Sequence, residues 1–233
     1  MKKPLRQDTI RTRSRLMTAA IAVFSEKGYR DATVAEISER AGVNTAAINY
    51  HFGDKEALYR ESWRQALKEA LKQHPPDGGV AVKAPAQERL QGLVMALLDR
   101  VHDENNKYFA IVCQELANPT GLLEVMNREE MAPIHHGIKA LLEVILGPSV
   151  SESEIGYCGM SIVSLCTILL LIRRAERLTG SNEEGFVKVA DIRGYAEYVV
   201  TFSLAGMAAV RTQAGKGAET VAVKERHERQ RNF

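Results

Sequence analysis

The sequence predicts an all-α protein, and three observations carry that prediction. Apolar residues recur at helical spacing along most of the chain. No stretch alternates apolar and polar residues for more than a few positions. Gly, Pro and small polar capping residues punctuate the helical stripes where a helix would have to start or stop.

Taken in order, the first helix is expected from about Thr9, a possible N-cap, with Leu16, Ala20, Val23 and Phe24 on one stripe, and it stops at Gly28. "TVAE" at 33–36 reads as a capping box, in which the Thr33 hydroxyl accepts from the amide three residues on while Glu36 reaches back. That helix is short, because Gly42 ends it. Asn44 can cap the next, which runs to about His51. Gly53 and Asp54 open a long fourth helix carrying Leu58, Trp63, Leu67 and Leu71. "HPPDGGVAVKAP", 74–85, has prolines, adjacent glycines and no helical stripe, so it is read as a loop. Further helices are expected at 85–103, 107–117, 120–146 with a kink at Pro133, 151–177 and 189–213. The expected domains are an N-terminal arm and three-helix head at 1–53, a larger helical domain at 54–213, and a charged tail at 214–233 that is flexible or a frayed helix.

Composition bounds the function. With 45% hydrophobic and 26% charged residues, the chain reads as an ordinary soluble protein. Cys113, Cys158 and Cys166 sit in apolar stretches without CxxC spacing, which indicates neither a disulfide framework nor a zinc site and fits a reducing cytoplasm. The N-terminus has no apolar core of a secretory signal. The longest apolar run, Met160 to Ile172, falls short of the roughly 20 residues of a membrane helix and is read as a buried one, so no membrane partner is expected. The net charge of +2 hides an asymmetry. Residues 1–64 hold 12 Lys and Arg against 8 Asp and Glu, and the remaining residues 19 against 21, so a basic front precedes a near-neutral body. A polyanion-binding head has that distribution.

Two short helices joined by a Gly-containing turn and braced by a preceding helix form a helix-turn-helix, the unit that lays its second helix in the DNA major groove. On a helical wheel starting at Thr45, the residues Thr45, Ala46, Asn49 and Tyr50 fall within an arc of about 140°. Ala47, Ile48 and His51 fall opposite and, with Val43 and Phe52, are placed to pack inward. Short donors and acceptors such as Asn and Thr suit base edges, whereas long Lys side chains would add only sequence-blind attraction to phosphate. Charge is placed around the segment instead, at Lys55 and in an N-terminal arm with Arg11 and Arg13, expected to reach phosphates or the minor groove. The helix that begins at Gly53 to Lys55 offers free amides and a positive dipole end to a phosphate.

The stretch "TVAEISERAGVNTAAINYHFGDKEALY" resembles the DNA-binding region of the TetR family of bacterial one-component transcriptional regulators, over about residues 9–60. The stretch "FAIVCQELANPTGLLEVMNREEMAPIHHGIKALLEVILG", 109–147, more loosely resembles the ligand domain of the CecR-type subgroup. The resemblance implies that Thr33, Tyr50, His51 and Lys55 touch phosphates and that Thr45, Ala46 and Asn49 approach base edges. Asn44, at the start of the same helix, joins this DNA-binding set. Asn49 departs from the family, where Tyr is commoner, which exchanges a backbone contact for a base contact. The implied function is a dimeric, ligand-responsive regulator, most often a repressor, that binds a palindromic operator on double-stranded DNA and is released by a small-molecule inducer.

In the remainder of the chain, helices 151–177 and 189–213 are expected to form a four-helix homodimer interface through Ile162, Leu165, Leu169, Val199, Phe202 and Gly206, with Gly159, Ala205 and Gly206 allowing close approach. A ligand cavity is expected among Trp63, Tyr108, Phe109, Cys113, Met126, His135, His136 and Met160. His135 and His136 point about 100° apart on a helix, so no metal site is expected, and no catalytic set or cofactor signature stands out. The alternatives are a helical carrier or enzyme, or a protein-binding adaptor, with a vestigial helix-turn-helix.

Overall fold

A computed structural model of the chain describes residues 4–179, 189 and 191–231, with side chains described for 7–124, 128–173, 189 and 191–216. Within these, the elements are α1 (Pro4–Asp31), α2 (Val34–Ala41), α3 (Ala46–Phe52), α4 (Lys55–Gln73), α5 (Ala86–His102), α6 (Lys107–Ala117), α7 (Glu124–Leu146), α8 (Glu152–Thr179) and α9 (Ile192–Arg231). No strand occurs among the described residues.

The local signals act where the sequence places them. Thr33 is extended and its Oγ1 accepts the Glu36 N–H at 3.1 Å. The Glu36 carboxylate does not reach back as a capping box would; it takes Lys27 at 2.8 Å and Arg40 at 3.2 Å, because two cations outcompete one amide. Arg40 also forks onto both oxygens of Glu26, at 2.9 and 2.7 Å, holding that carboxyl below its usual range. Gly42 closes α2 in the left-handed conformation, and a Cβ there would lie 2.5 Å from the Arg15 guanidinium. Asn44 Oδ1 accepts the Ala46 N–H at 2.9 Å, and Asp54 Oδ1 accepts that of Ala57 at 2.7 Å. Two boundaries move. α1 begins at Pro4 rather than near Thr9, since Pro suits a first helical position, and its regular helix breaks at Gly28 as expected. α9 runs on to Arg231, past Gly215 where the sequence places a tail; no proline follows Pro148 and the segment is rich in Ala, Glu, Lys and Arg.

The chain divides into two compact units, Met1–His74 with His102–Ala132, and Pro75–Val101 with Pro133–Phe233. In the first, α1 packs on α2, α4 and α6, and α3 seats on α1, α2 and α4. Leu16, Phe24, Ile37, Ile48, Leu58, Tyr59, Trp63 and Ile111 are fully buried there, each worth about 1.5–3 kcal/mol of transfer free energy. Tyr59 meets Phe24 edge-on at 4.8 Å and Tyr29 at 5.1 Å. Its hydroxyl donates to Glu115 at 2.9 Å, and burial pushes that phenol well above its ordinary value. The other Glu115 oxygen accepts the amide and hydroxyl of Thr120, each at 2.8 Å. Gln114 donates to the Glu26 carbonyl at 2.7 Å and Arg30 to that of Pro119 at 3.0 Å. These bonds fasten α6 to the N-terminal helices despite its distance in sequence.

In the second unit, α8 and α9 pack through Ile162, Cys166, Leu169, Ala196, Val199 and Met207, all buried, and Tyr195 donates to the Leu165 carbonyl at 2.7 Å. Burial pushes the Cys166 thiol up to about 12, against the opposing pull of Arg100. α7 starts at Glu124, after a turn at Gly121, and contains Pro133, where the two units divide. The Glu152–Arg173 stretch of α8, 22 residues containing an 18-residue window of mean hydropathy 2.2, is long and apolar enough by length and composition to cross a membrane. The contiguous run from Met160 understates it, because the preceding Gly, Cys and Tyr interrupt hydropathy without adding charge. Only 22% of the stretch is buried within the chain, and Tyr157, Met160 and Leu171 on α8, with Tyr198 and Phe202 on α9, stand exposed.

Ser38 Oγ is buried in α2 with no hydrogen-bond partner among the described residues. Because an unsatisfied buried hydroxyl costs about 1–3 kcal/mol, Ser38→Ala is expected to raise stability by about 1 kcal/mol in equilibrium urea unfolding.

Candidate nucleic-acid interface

α3 has seven residues, too few to be stable alone, so its position is set by what it buries. Ile48 is fully buried and Phe52 nearly so, while Val43, Ala47 and His51 are half-buried. Thr45, Ala46, Asn49 and Tyr50 are exposed, Tyr50 at 78%. The two sides of the wheel therefore separate as the 100° step predicts. The outer arc carries a methyl, a hydroxyl, an amide and a phenol and no formal charge. Asn44 is exposed beside it, its Oδ1 committed to the helix start. Tyr50 and His51 meet edge-to-face at 5.0 Å.

Donors for an anion lie on the elements that pack against α3. Thr33 is exposed, and since its oxygen already accepts from Glu36, its O–H is available to donate outward. Lys55 Nζ lies over the Tyr29 ring at 4.4 Å, and burial lowers its pKa from the ordinary value against the opposing effect of Asp31. The amides of Lys55 and Glu56 lie in the first turn of α4, where helix geometry provides no acceptor. Arg11 is exposed on α1.

Two further arginines of α1 contact the segment itself. Arg13 lies 4.7 Å over the Phe52 ring and pairs with Glu61, and Arg15 donates to the Gly42 carbonyl at 3.2 Å. They hold the two ends of the segment that presents α3, a bracing role that the sequence, which places Arg13 in a DNA-reaching arm, does not reveal. Lys2, Lys3 and the Arg6 side chain lie outside the described residues. Tyr29, the seat of Lys55, is likewise invisible to motif reading, because its partner lies on another helix.

The expected ligand walls fall in separate places. Trp63, Tyr108 and Phe109 meet in the first unit, with ring centroids 5.7 and 5.1 Å apart, as core or core-packed residues, and Cys113 is half-buried on the same α6. His135 and Met160 line a cavity of about 420 Å³ between α7 and α8 in the second unit. His136 is exposed on α7, and the Met126 side chain lies outside the described ones. The structure adds a cavity of about 320 Å³ between α5, α7 and the 75–82 turn, which the sequence does not flag. Of the expected dimer residues, Ile162, Leu169 and Val199 are buried within the chain, while Leu165, Phe202 and Gly206 line an open groove on α8 and α9. Gly159 faces α7, where a Cβ would lie 3.2 Å from Leu142, so its small size serves packing within the chain; Ala205 is exposed. Among the described residues, no three His, Cys, Asp or Glu stand together to hold a metal ion.

The family of bacterial regulatory proteins named for tetR matches residues 16–61, and the C-terminal domain of the HTH-type transcriptional dual regulator CecR matches residues 86–207, over half the chain. The chain is 32% identical over 113 residues, 48% of its length, to the HTH-type transcriptional regulator SrpR of Pseudomonas putida. It spans only half the length of that protein. At the same identity and length it matches the uncharacterized HTH-type transcriptional regulator TtgW, also of Pseudomonas putida, covering 80% of it. In fold it resembles a transcriptional regulator from Rhodococcus sp. Rha1, with TM-score 0.60 and 20% identity over 83% of this chain and 96% of the other.

Tyr50→Ala is expected to change unfolding free energy by less than about 0.5 kcal/mol, because the side chain is exposed and its one ring contact is with the neighbouring His51. Ile48→Ala on the opposite side should cost about 2–5 kcal/mol. Urea titrations of both variants check this division.

Proposed function

The chain belongs to the TetR family of bacterial transcriptional regulators, and from that premise we propose that it is a two-fold homodimer that binds a palindromic operator through α3 and leaves it when a small-molecule inducer binds. It acts as a repressor in the cytoplasm. The observation that carries this reading is the exposed, uncharged arc of Thr45, Ala46, Asn49 and Tyr50, set on a helix whose opposite side is buried.

In this reading Asn49 offers its amide to an adenine edge, Thr45 and Ala46 meet a thymine methyl, and Thr33, Tyr50, His51 and Lys55 bind phosphates, with Asn44 and Arg11 beside them. Arg13 and Arg15 contribute by holding the reading helix in place. The proposed organisation is a DNA-binding head at 1–53, a ligand and dimerisation domain at 54–213, and a charged tail at 214–233. Two copies join through the exposed side chains of α8 and α9, which would set two recognition helices about 34–36 Å apart or a multiple of it. An exposed apolar face of this kind marks an interface. α4 runs from the phosphate-binding turn into the first unit's core, where Tyr59 and Trp63 are buried, so an inducer that shifts α4 would move both recognition helices. Operator binding must then weaken inducer binding by the same factor.

Two measurements test this. On a duplex retained from a random pool, Asn49→Ala should relax preference at one base pair per half-site, each worth about 1–3 kcal/mol, while Lys55→Ala should weaken all duplexes alike and flatten the salt dependence. A uniform loss in both variants, with no positional effect, would remove Asn49 from base reading. Phe202→Glu is expected to yield monomers in sedimentation and to lose high-affinity operator binding; an intact dimer would move the interface elsewhere.

A further inference from the structure

The cavity of about 320 Å³ between α5, α7 and the 75–82 turn is within the size range of small-molecule sites, roughly 300–1,000 Å³. Its walls are aliphatic, with Val80, Leu93, Ile134, Ile138 and Leu141 among them. Its rim is fixed by backbone packing. Gly78, at φ +63, lies so close to α5 that a Cβ would stand 2.4 Å from the Gly92 carbonyl oxygen, and a Cβ on Gly92 would stand 2.5 Å from Val80 Cγ2. The turn also bonds internally, with the Val80 N–H donating to the Asp77 carbonyl at 3.2 Å and the Gly79 N–H to the Asp77 carboxylate at 2.9 Å.

Two charged residues line this cavity, Asp77 and Arg89. Asp77 is engaged by its own turn, and the two form no ion pair with each other. Arg13, Arg40, Arg64 and Lys139 each have a carboxylate, whereas the half-buried Arg89 guanidinium has neither an ion-pair nor a hydrogen-bond partner among the described residues. Filling the cavity would remove water from that cation. A neutral occupant would leave it desolvated and unpaired, whereas a carboxylate would take two of its donors, and Asp77, the other charge in the wall, already accepts the Gly79 N–H.

We infer that this cavity binds a small apolar molecule carrying one negative charge, a carboxylate by preference, with Arg89 selecting the charge and the aliphatic walls holding the body. This deepens, and rests on, the reading of the chain as a regulator released by a small molecule. The probes that test it are 2-naphthoate and its uncharged isostere 2-naphthamide, titrated calorimetrically into the full-length protein. Wild type is expected to bind naphthoate at least about tenfold tighter than the amide, Arg89→Gln to erase that preference, and Arg89→Lys to retain part of it. A Cβ on Gly137, which also lines the cavity, meets nothing within 4 Å, so Gly137→Leu fills the space without a clash and should lose both probes. Circular dichroism melts confirm that the variants fold. Equal binding of the two probes by wild type, a preference surviving in Arg89→Gln, or undiminished binding by Gly137→Leu would overturn the inference. Anisotropy on a selected duplex separates the two levels: if unliganded wild type keeps a DNA preference while the probes fail, only the cavity assignment falls. If it has no DNA preference at all, the parent reading falls.

Discussion

The seating of Ile48 and Phe52 is the contact on which the rest of the head depends. A seven-residue helix has no stability of its own, so α3 exists and points outward only because that side is buried against α1, α2 and α4. The turn that feeds it is equally constrained. Gly42 is left-handed, a conformation that residues with a side chain rarely adopt, and Arg15 bonds the Gly42 carbonyl from α1. At the other end Arg13 covers Phe52 and pairs with Glu61 on α4. Arg13, which the sequence places among the DNA contacts, and Arg15 thus both bond to the segment that carries α3, whose exposed arc holds no charged side chain.

The same unit links the turn before α4 to α6 by direct contact. Lys55 rests on Tyr29, Tyr29 on Tyr59, and the Tyr59 hydroxyl bonds Glu115 on α6. Glu115 in turn holds the backbone and hydroxyl of Thr120. A continuous series of side-chain contacts therefore joins Lys55 to α6.

What the sequence discloses and what it withholds divide along sequence separation. Caps at Thr33, Asn44 and Asp54, the stop at Gly42 and the two sides of α3 follow from residues within a turn or two of each other, and all are readable from spacing alone. The partners of Arg13, Arg15, Lys55 and Tyr59 lie outside their own helices or turns, so spacing along the chain does not name them, and the sequence assigns Arg13 and Lys55 to DNA. α8 fails differently. It is apolar nearly all round, so its periodicity cannot say that Ile162 and Leu169 face α9 while Met160 and Leu171 stay exposed. The cavity beside Arg89 needs a glycine-to-glycine approach between a loop and a helix, and no local pattern encodes it.

The central claim is that the uncharged arc of α3 reads base edges twice, in a symmetric pair. Sequencing the duplexes retained from a random library by the purified protein at about 0.1 M salt tests it most directly. The account predicts one enriched motif with two-fold symmetry, its half-sites centred about 10 base pairs apart or a multiple of that. A retained pool indistinguishable from the input would contradict it.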